Sequence, residues 1–444
     1  MANPGTTLVS PRLQQVDKDN PFQHDLFARK EFAEQLTGYL DRLRDGAVLA
    51  IDAPWGEGKS WFGRNWAADL KSQDYRVIYL DAFQQDYVED PFLLIASEIT
   101  EILASNDTTG QVLKKNAASV MKAIMPVGVK VLLNFAGRVA LGSADLSKDV
   151  TEAIQEASEN GTDATQQWLE GKIEEHSQDK ASLETFKETL KAFCGEQQKP
   201  VVFFVDELDR CRPTFAVRLI ERIKHFFDVP NLIFVLLLNR EQLDHAVKGV
   251  YGQETDAAAY LSKFVHFFFT LPKKNEMASN HANANYTYLC EISKHYKLEE
   301  TLDLQSFIRD FSLFSVAMGM SLRDMEKGMA LLALSRVDHS AKYLSWLIAL
   351  KLKHPCIFNR LLRQDVEAYK ESNQVLAAIR VPNGIHFFAR DYFMAYHQAR
   401  VSGYESLSDQ DRKFLQKIRY EFKEQYSLDN LMLFLLKRIN IAIN

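Results

Sequence analysis

Five short apolar segments stand out along the first two thirds of the chain. They read AVLAIDA, RVIYLDA, PVVFFVDELDR, NLIFVLLLNR and HFFFTLP, and they span residues 47–53, 76–82, 200–210, 231–240 and 266–272. Apolar runs of this length without polar alternation are typical of strands that are buried on both faces of a parallel sheet. Segments with helical periodicity separate them, so the pattern predicts an α/β fold in which helices cover both faces of a parallel sheet.

The rest of the chain has a helical pattern. From Lys273 onward the apolar positions recur with helical spacing. The long interval before the third apolar segment exceeds what a sheet layer needs, and it is predicted to be a helical insert. We therefore expect an N-terminal part of the core in residues 1–90, the insert in 91–199, the rest of the core in 200–275 and a C-terminal helical domain in 276–444.

The loop after the first apolar segment reads APWGEGKS, from Ala53 to Ser60. A strand, a glycine-containing loop that ends in Gly58-Lys59-Ser60, and a helical segment form the context of a phosphate-binding loop. In such loops the backbone amides and the helix N-terminus converge on phosphate oxygens. We expect Lys59 to reach the β- and γ-phosphates and the Ser60 hydroxyl to ligate Mg²⁺. The predicted nucleotide-binding residues are Trp55, Gly56, Glu57, Gly58, Lys59, Ser60 and Trp61.

Two acids follow the third apolar segment directly. An acid at the carboxyl end of a buried strand is costly without a partner, and a magnesium ion held through water is such a partner. Asp206 is predicted to serve the metal and Glu207 to polarise an attacking water. The alternative is a capped strand end with a solvated acidic turn. Asn239, at the tip of the fourth segment, is predicted to sense the γ-phosphate or orient water, unless it simply ends the strand.

Four stretches of the chain resemble the KAP family of P-loop NTPases. They are DLFAR, APWGEGKS, FFVDELDRCRP and YLSKFVHFFFTLP, at residues 25–29, 53–60, 203–213 and 260–272. The family patterns W-G-x-G-K-[ST] and D-x-L-D-R-C-x-P are the most distinctive. Three positions depart from the family: Ala53 replaces a glycine, Glu207 an aspartate and Asn239 an aspartate. An alanine fits the loop if its φ is negative.

The resemblance implies an additional-strand, AAA-like ATPase core followed by a helical lid, with ATP and Mg²⁺ as ligands. It identifies SLRDMEKGMALLALS, residues 321–335, with the lid helix. Arg323 would then reach the γ-phosphate from the lid, unless it is a surface arginine. Lys263, just before the last strand, would act across a subunit interface in a homo-oligomer, or else it lies in an ordinary turn. The family also implies a role in anti-phage defence.

The most apolar part of the insert is Met121 to Gly142, which contains Lys122, Lys130 and Arg138. Charges in the middle of a segment are expensive in a bilayer, so we do not expect a transmembrane span. A packing helix and a helix that contacts a membrane surface or a protein partner remain open.

Composition bears on the binding partners and on the cellular compartment of the protein. The 53 basic and 59 acidic residues give a formal charge of −6, which argues against general binding to polyanions. The four cysteines form no C-x-x-C pair, and the N-terminus lacks a secretion signal, so we expect a cytoplasmic protein.

The sequence thus predicts a KAP-type ATPase that switches conformation on binding and hydrolysing Mg-ATP and so controls protein partners through the insert. Two alternatives remain open: a scaffold gated by nucleotide without hydrolysis, and a DNA-handling ATPase. The only sequence support for the second is the basic stretch 342–363.

Overall fold

The structure, a computed structural model, describes residues 16–88, 90–103, 184–273, 284–335, 341–380, 387–421 and 428–440. They fall into two compact units. The helical unit takes the described residues of Met1–Phe32, Pro54–Trp61 and Leu271–Asn444, and the sheet unit takes those of Ala33–Ala53 and Phe62–Thr270. The segment 121–142 and the predicted boundary at residue 276 lie outside the described residues.

The sheet unit contains the predicted parallel sheet. Its strands are β1 (Ala47–Asp52), β2 (Arg76–Asp81), β3 (Val201–Asp206), β4 (Leu232–Leu238) and β5 (Phe267–Thr270). All of the pairs are parallel and the order is β2-β3-β4-β1-β5. The five strand predictions are confirmed. β4 is the additional strand, because it separates β1, which leads into the phosphate loop, from the acidic strand β3.

The helices of the sheet unit pack on both faces of the sheet, as predicted. They are the C-terminal parts of α1 (Arg29–Leu40) and α2 (Lys59–Ser72), then α3 (Pro91–Leu103), α4 (residues 184–195), α5 (Pro213–Ile223), α6 (Arg240–Tyr251) and α7 (Ala257–Leu261). On one face Trp66 of α2 meets the ring of Phe204 edge-on, with centroids 5.3 Å apart. On the other, Phe203 and Phe234 share a buried cluster with Phe215 of α5. Every residue of β3 and β4 is buried, which explains why these strands have no polar alternation.

The helical unit is built around one helix that is buried over most of its length. Its helices are α8 (Ala284–His295), α9 (Leu302–Ala317), α10 (Leu322–Ser335), α11 (Ala341–Lys353), α12 (Pro355–Leu361), α13 (Val366–Ala378), α14 (Phe388–Ser402), α15 (Asp409–Glu421) and α16 (Leu428–Ile439). Residues 343–350 of α11 are all buried, and the helix packs along α9, where Trp346 contacts Phe314 at 5.1 Å between ring centroids. The predicted helical character is confirmed for the described residues.

One result bears on membranes. Within the described ranges, no helix combines the length and the apolar character that crossing a bilayer requires.

Gly63 provides a test of the packing between α2 and the sheet. A Cβ at Gly63 would lie 2.1 Å from Cδ1 of Leu237, whereas Gly249 in α6 has open space around the same position. Gly63→Ala should lower the free energy of unfolding by about 1–3 kcal/mol, because the buried Leu237 has little room to move. Gly249→Ala should leave it unchanged or raise it, because alanine favours a helix. Urea unfolding of both variants checks the pair, and equal behaviour would contradict the packing.

His397 predicts a pH dependence of stability. It is completely buried in α14 against the ring of Tyr369, and burial lowers its pKa to about 3. The unfolded chain takes up a proton near pH 6.5 and the folded chain does not, so stability should fall as the pH drops from about 6.5 towards 3. Unfolding curves at several pH values should show that the stability of His397→Leu depends less on pH than that of the unaltered protein. The exposed His245 supplies the control, since His245→Leu should leave the dependence unchanged.

Candidate functional site

The loop between β1 and α2 adopts a backbone that requires its two glycines. Gly56 and Gly58 have φ values of 82° and 79°, in the left-handed region that side chains disfavour. A Cβ at Gly56 would also lie 2.8 Å from Cβ of Arg323, and one at Gly58 would lie 2.8 Å from Nη1 of Arg29. Both glycines are therefore fixed by backbone conformation and by close neighbours in the helical unit.

Arg29, the last residue of the DLFAR motif, supports this loop. Its side chain is only 2% exposed, and Nη2 donates to the carbonyl of Glu57 at 2.7 Å. Longer contacts of 3.5 Å join the guanidinium to the carbonyls of Gly58 and Pro272. Burial lowers the pKa of Arg29 to about 10, which still leaves the guanidinium protonated at neutral pH. A buried cation thus holds two successive loop carbonyls.

Two further contacts hold the loop within the helical unit. Nζ of Lys273 lies 2.9 Å from Oε1 of Glu57 and donates to the carbonyl of Met320 at 3.0 Å. The backbone N–H of Arg323, at the start of α10, donates to the carbonyl of Gly56 at 3.2 Å. The predicted lid helix therefore begins directly against the loop. The backbone of Arg323 thus lies beside the loop. A contact between its side chain and a γ-phosphate stays a prediction.

The residues predicted to hold phosphate are partly buried. Lys59 is 8% exposed and its ammonium donates to the carbonyl of Pro54 at 3.3 Å. Lys59 and Ser60 begin α2, so their amides belong to the first turn of a helix, where anions are favoured. Trp55 is 46% exposed, and Trp61 meets the ring of Phe22 edge-on at 5.7 Å.

Ala53 fits the position where the family has glycine. It is buried, and it is not among the described residues with positive φ. Its N–H donates to the carbonyl of Leu238 at 3.2 Å, which continues the pairing of β1 with β4 by one residue. The alanine therefore costs the loop no backbone strain.

In the sheet unit, Asp206 ends β3 and is 1% exposed. Its Oδ2 accepts a hydrogen bond from the hydroxyl of Tyr79 at 2.8 Å, and its Oδ1 accepts from the backbone N–H of Glu207 at 2.9 Å. Burial, and then the charge of Asp206, raises the pKa of Tyr79, which keeps this phenol a donor. Asp206 thus presents a hydrogen-bonded carboxylate at the end of the strand, and carboxylate oxygens are the ligands that Mg²⁺ prefers.

Glu207 has an unusual backbone and a charged partner. Its φ of 59° lies in the left-handed region, which costs a residue with a side chain roughly 1 kcal/mol or more. Its carboxylate forms an ion pair with Arg210 in the same turn. Other described residues, such as Asp74 and Asn231, share a positive φ, so the action of Glu207 on water stays a prediction.

Asn239 and Lys263 have structural contacts of their own. The side chain of Asn239 accepts from the N–H of Gln242 at 3.4 Å and so caps α6. Lys263 is exposed, with Nζ 5.9 Å from the ring centroid of Tyr260. The roles assigned to both residues from the sequence, as γ-phosphate sensor and as trans-acting cation, stay predictions.

Three residues were not assigned a role from the sequence: Arg29, Lys273 and Tyr79. Arg29 was visible as part of the DLFAR motif, but a motif does not reveal that the side chain turns inward to the loop. Lys273 and Tyr79 carry no sequence signal, because their partners lie 216 and 127 positions away.

The parallel sheet has β4 as its additional strand, and β1 leads into a loop of the G-x-G-K-S type. Together these two features define a P-loop NTPase. The KAP family P-loop domain matches residues 29–336, more than half of the chain, so the protein belongs to the KAP family. No curated protein sequence matches the chain.

Two solved structures show a distant likeness. One is the ORC2 protein of Aeropyrum pernix in ADPNP–ADP complexes, with 12% identity, a TM-score of 0.35 and coverage of 93% of each chain. The other is the replication initiator DnaA bound to AMPPCP and single-stranded DNA, with 12% identity, a TM-score of 0.32 and coverage of 99% of this chain and 98% of that chain. At these levels of sequence identity and TM-score, the two structures carry no information on the function of this protein.

The contacts of Arg29 predict the effect of removing its charge. Arg29→Met should speed amide hydrogen exchange at residues 56–60 by roughly tenfold to hundredfold, because hydrogen bonds from a charged donor contribute about 1.5–3 kcal/mol. Exchange in α9, remote in sequence within the same unit, serves as the internal control. Arg29→Lys should restore only part of the protection, since an ammonium cannot reproduce the forked contact. Unchanged exchange in the loop would show that Arg29 does not hold it.

Proposed function

We propose that this protein binds Mg-ATP at the phosphate loop and hydrolyses it, and that the cycle switches its conformation to control protein partners. The observation that carries the proposal is the loop backbone, with two left-handed glycines ahead of Lys59 and Ser60 at the start of α2. In this role the amides of the first turn and Lys59 bind the phosphates. The Ser60 hydroxyl and Asp206 hold Mg²⁺, and Glu207 accepts the proton of the attacking water.

The donor set suits magnesium. Mg²⁺ prefers oxygen ligands and keeps several of its waters, so one hydroxyl and one carboxylate, directly or through water, are a sufficient protein contribution. The bound ion would neutralise charge on the β- and γ-phosphates. Adenine is preferred over guanine because no N-K-x-D sequence follows Asp206. Partner binding through residues 91–199 and a role in anti-phage defence rest on the family resemblance alone.

Lys59→Ala and Glu207→Gln should fail at different steps. Lys59→Ala should weaken ATP binding by roughly tenfold to hundredfold, because the phosphates lose a charged hydrogen-bond donor. Glu207→Gln should still bind ATP while turnover falls by about 10²–10⁴, because an amide cannot accept the proton. Calorimetry measures the first effect, and release of labelled phosphate measures the second.

Matched controls are available in both cases. Lys71→Ala removes an exposed lysine from the end of the same helix, and Glu196→Gln removes an exposed carboxylate elsewhere in the sheet unit. Neither should change binding or turnover. Retention of ATP by Lys59→Ala would refute the binding site, and normal turnover by Glu207→Gln would refute the catalytic assignment alone.

One observation favours a second function, a scaffold that binds nucleotide without hydrolysing it. The ion pair with Arg210 occupies the carboxylate of Glu207, and a carboxylate held in this way is a poorer proton acceptor. Arg210→Ala separates the two functions. Faster phosphate release in this variant would support an ATPase restrained by the ion pair, whereas no release from either protein would support the scaffold.

The DNA-handling alternative gains no support from the basic stretch 342–363. Several of its cations have partners within the helical unit: Lys351 donates to the carbonyl of Ile439, and Arg360 pairs with Asp365 and Glu371. An affinity for DNA that falls steeply as the salt concentration rises would be the sign of contacts with DNA phosphates.

A further inference from the structure

The hydroxyl of Tyr79 reaches the carboxylate of Asp206 from the neighbouring strand. Tyr79 lies in the edge strand β2 directly beside Phe204 of β3, and Asp206 follows Phe204 by two residues. Side chains two residues apart point to the same face of a sheet and lie roughly 6–7 Å apart along the strand. The 2.8 Å hydrogen bond to Oδ2 therefore requires that the phenol lean along the strand, towards the carboxyl edge of the sheet.

Aromatic packing holds the ring of Tyr79 in this direction. The ring stacks on that of Phe204, with centroids 5.6 Å apart and planes inclined at 19°. Phe204 is fully buried and also packs against Trp66 of α2, whose indole N–H donates to the hydroxyl of Thr37 at 3.0 Å. A ring that is fixed by its neighbours gives its hydroxyl a fixed position, which a long flexible side chain does not.

Helix α2 leaves room for this hydroxyl at Gly63. A Cβ at Gly63 would lie 3.1 Å from the phenolic oxygen of Tyr79, which is closer than an ordinary van der Waals contact. Burial and the charge of Asp206 raise the pKa of Tyr79, and the nearby Arg64 lowers it by less. The hydroxyl thus lies between β2, β3 and α2 and stays protonated at neutral pH.

Both oxygens of the Asp206 carboxylate have a donor from the protein. Oδ2 accepts from Tyr79, and Oδ1 accepts from the backbone N–H of Glu207 at 2.9 Å. Because the two donors belong to different segments of the chain, together they fix the orientation of the carboxylate plane. Hydrogen bonds that orient a metal ligand in this way commonly set the affinity for the metal.

We propose that Tyr79 is a positioning residue for Mg²⁺, because its hydroxyl orients the carboxylate of Asp206 towards the ion. The inference rests on the proposed function, since it takes Asp206 as part of the metal site. Mg²⁺ demands near-ideal octahedral geometry, so a carboxylate that rotates freely holds the ion or its bound water less well. Tyr79 acts through Asp206 rather than by touching the metal, and it makes the edge strand β2 a support of the site.

Tyr79→Phe tests this role, because it keeps the ring on Phe204 and removes the hydroxyl. Calorimetry measures the affinity for ATP once with excess Mg²⁺ and once in EDTA. With Mg²⁺ the variant should bind ATP roughly 10- to 100-fold more weakly than the unaltered protein, the usual effect of removing a partner that orients a metal ligand. In EDTA the affinity should be unchanged. Equal losses under both conditions would indicate a merely structural role and would overturn the proposal, as would an unchanged affinity with Mg²⁺.

Tyr75→Phe is the matched control. Tyr75 lies just before the amino end of β2, and its hydroxyl donates to the carboxylate of Asp41. The control therefore removes the same kind of contact at the opposite end of the strand from Asp206. Both affinities should be the same as in the unaltered protein.

A double substitution shows whether Tyr79 acts through Asp206. Asp206→Asn should itself weaken the binding of ATP with Mg²⁺, and adding Tyr79→Phe should cause little further loss, because the carboxylate that the phenol orients is gone. Losses that add in full would overturn the proposal. This comparison also decides the matter if Tyr79→Phe alone does not fold, because the double variant leaves no carboxylate without its donor.

The unaltered protein separates this proposal from the proposed function. If Mg²⁺ does not change its affinity for ATP, the metal site of the proposed function and the role of Tyr79 are overturned together. If Mg²⁺ strengthens ATP binding equally in the unaltered protein and in Tyr79→Phe, the metal site stands and the positioning role alone is overturned.

Discussion

The guanidinium of Arg29 is buried against the backbone of the phosphate loop, where it donates to the carbonyls of Glu57 and Gly58. In a planar trans peptide the C=O and N–H bonds point in opposite directions. Holding these two carbonyls therefore turns the N–H groups of Gly58 and Lys59 away from Arg29, on the side where an anion can bind. Burying a cation costs free energy, and the hydrogen bonds to the loop carbonyls and the attraction of Glu57 and Asp25 act against that cost.

This constraint explains why the two glycines of the loop differ in their surroundings. Gly58 leaves room for Nη1 of Arg29, and Gly56 leaves room for the start of α10 at Arg323. A side chain at either position would push the loop away from one of its supports. Ala53 precedes both supports and continues the β1 pairing, so the departure from the family pattern falls where an alanine is harmless.

The fold was largely predictable from the sequence because its strongest signals are local. Buried parallel strands appear as continuous apolar runs, and all five runs form strands. The phosphate loop was predictable for a similar reason, since its glycines and Lys59 lie within a few residues of one another. The position of Asp206 followed from a strand that ends in an acid.

Side-chain partners were not predictable, because they depend on contacts between distant parts of the chain. Arg29 reaches a loop 28 residues away, and Tyr79 reaches a carboxylate 127 residues away. Asn239 shows a further difficulty. A polar residue at the tip of a strand has the same sequence signal whether it caps the next helix or contacts a ligand. In the structure Asn239 makes the capping contact, and a contact with a ligand stays a prediction.

Three acids at the carboxyl edge of the sheet have different surroundings, which give two of them a structural role and suit the third to a chemical role. Asp52, Asp81 and Asp206 each end a parallel strand. Asp52 accepts from the N–H of Arg240, and Asp81 accepts from the backbone and side chain of Gln84, so both fix the local chain. Asp206 is the most buried of them, and one of its partners is the phenol of Tyr79. A phenol that stays protonated stabilises the ionised carboxylate without neutralising it. The phenol therefore holds the carboxylate of Asp206 in place at the strand tip, and a carboxylate oxygen is the kind of ligand that a magnesium site uses.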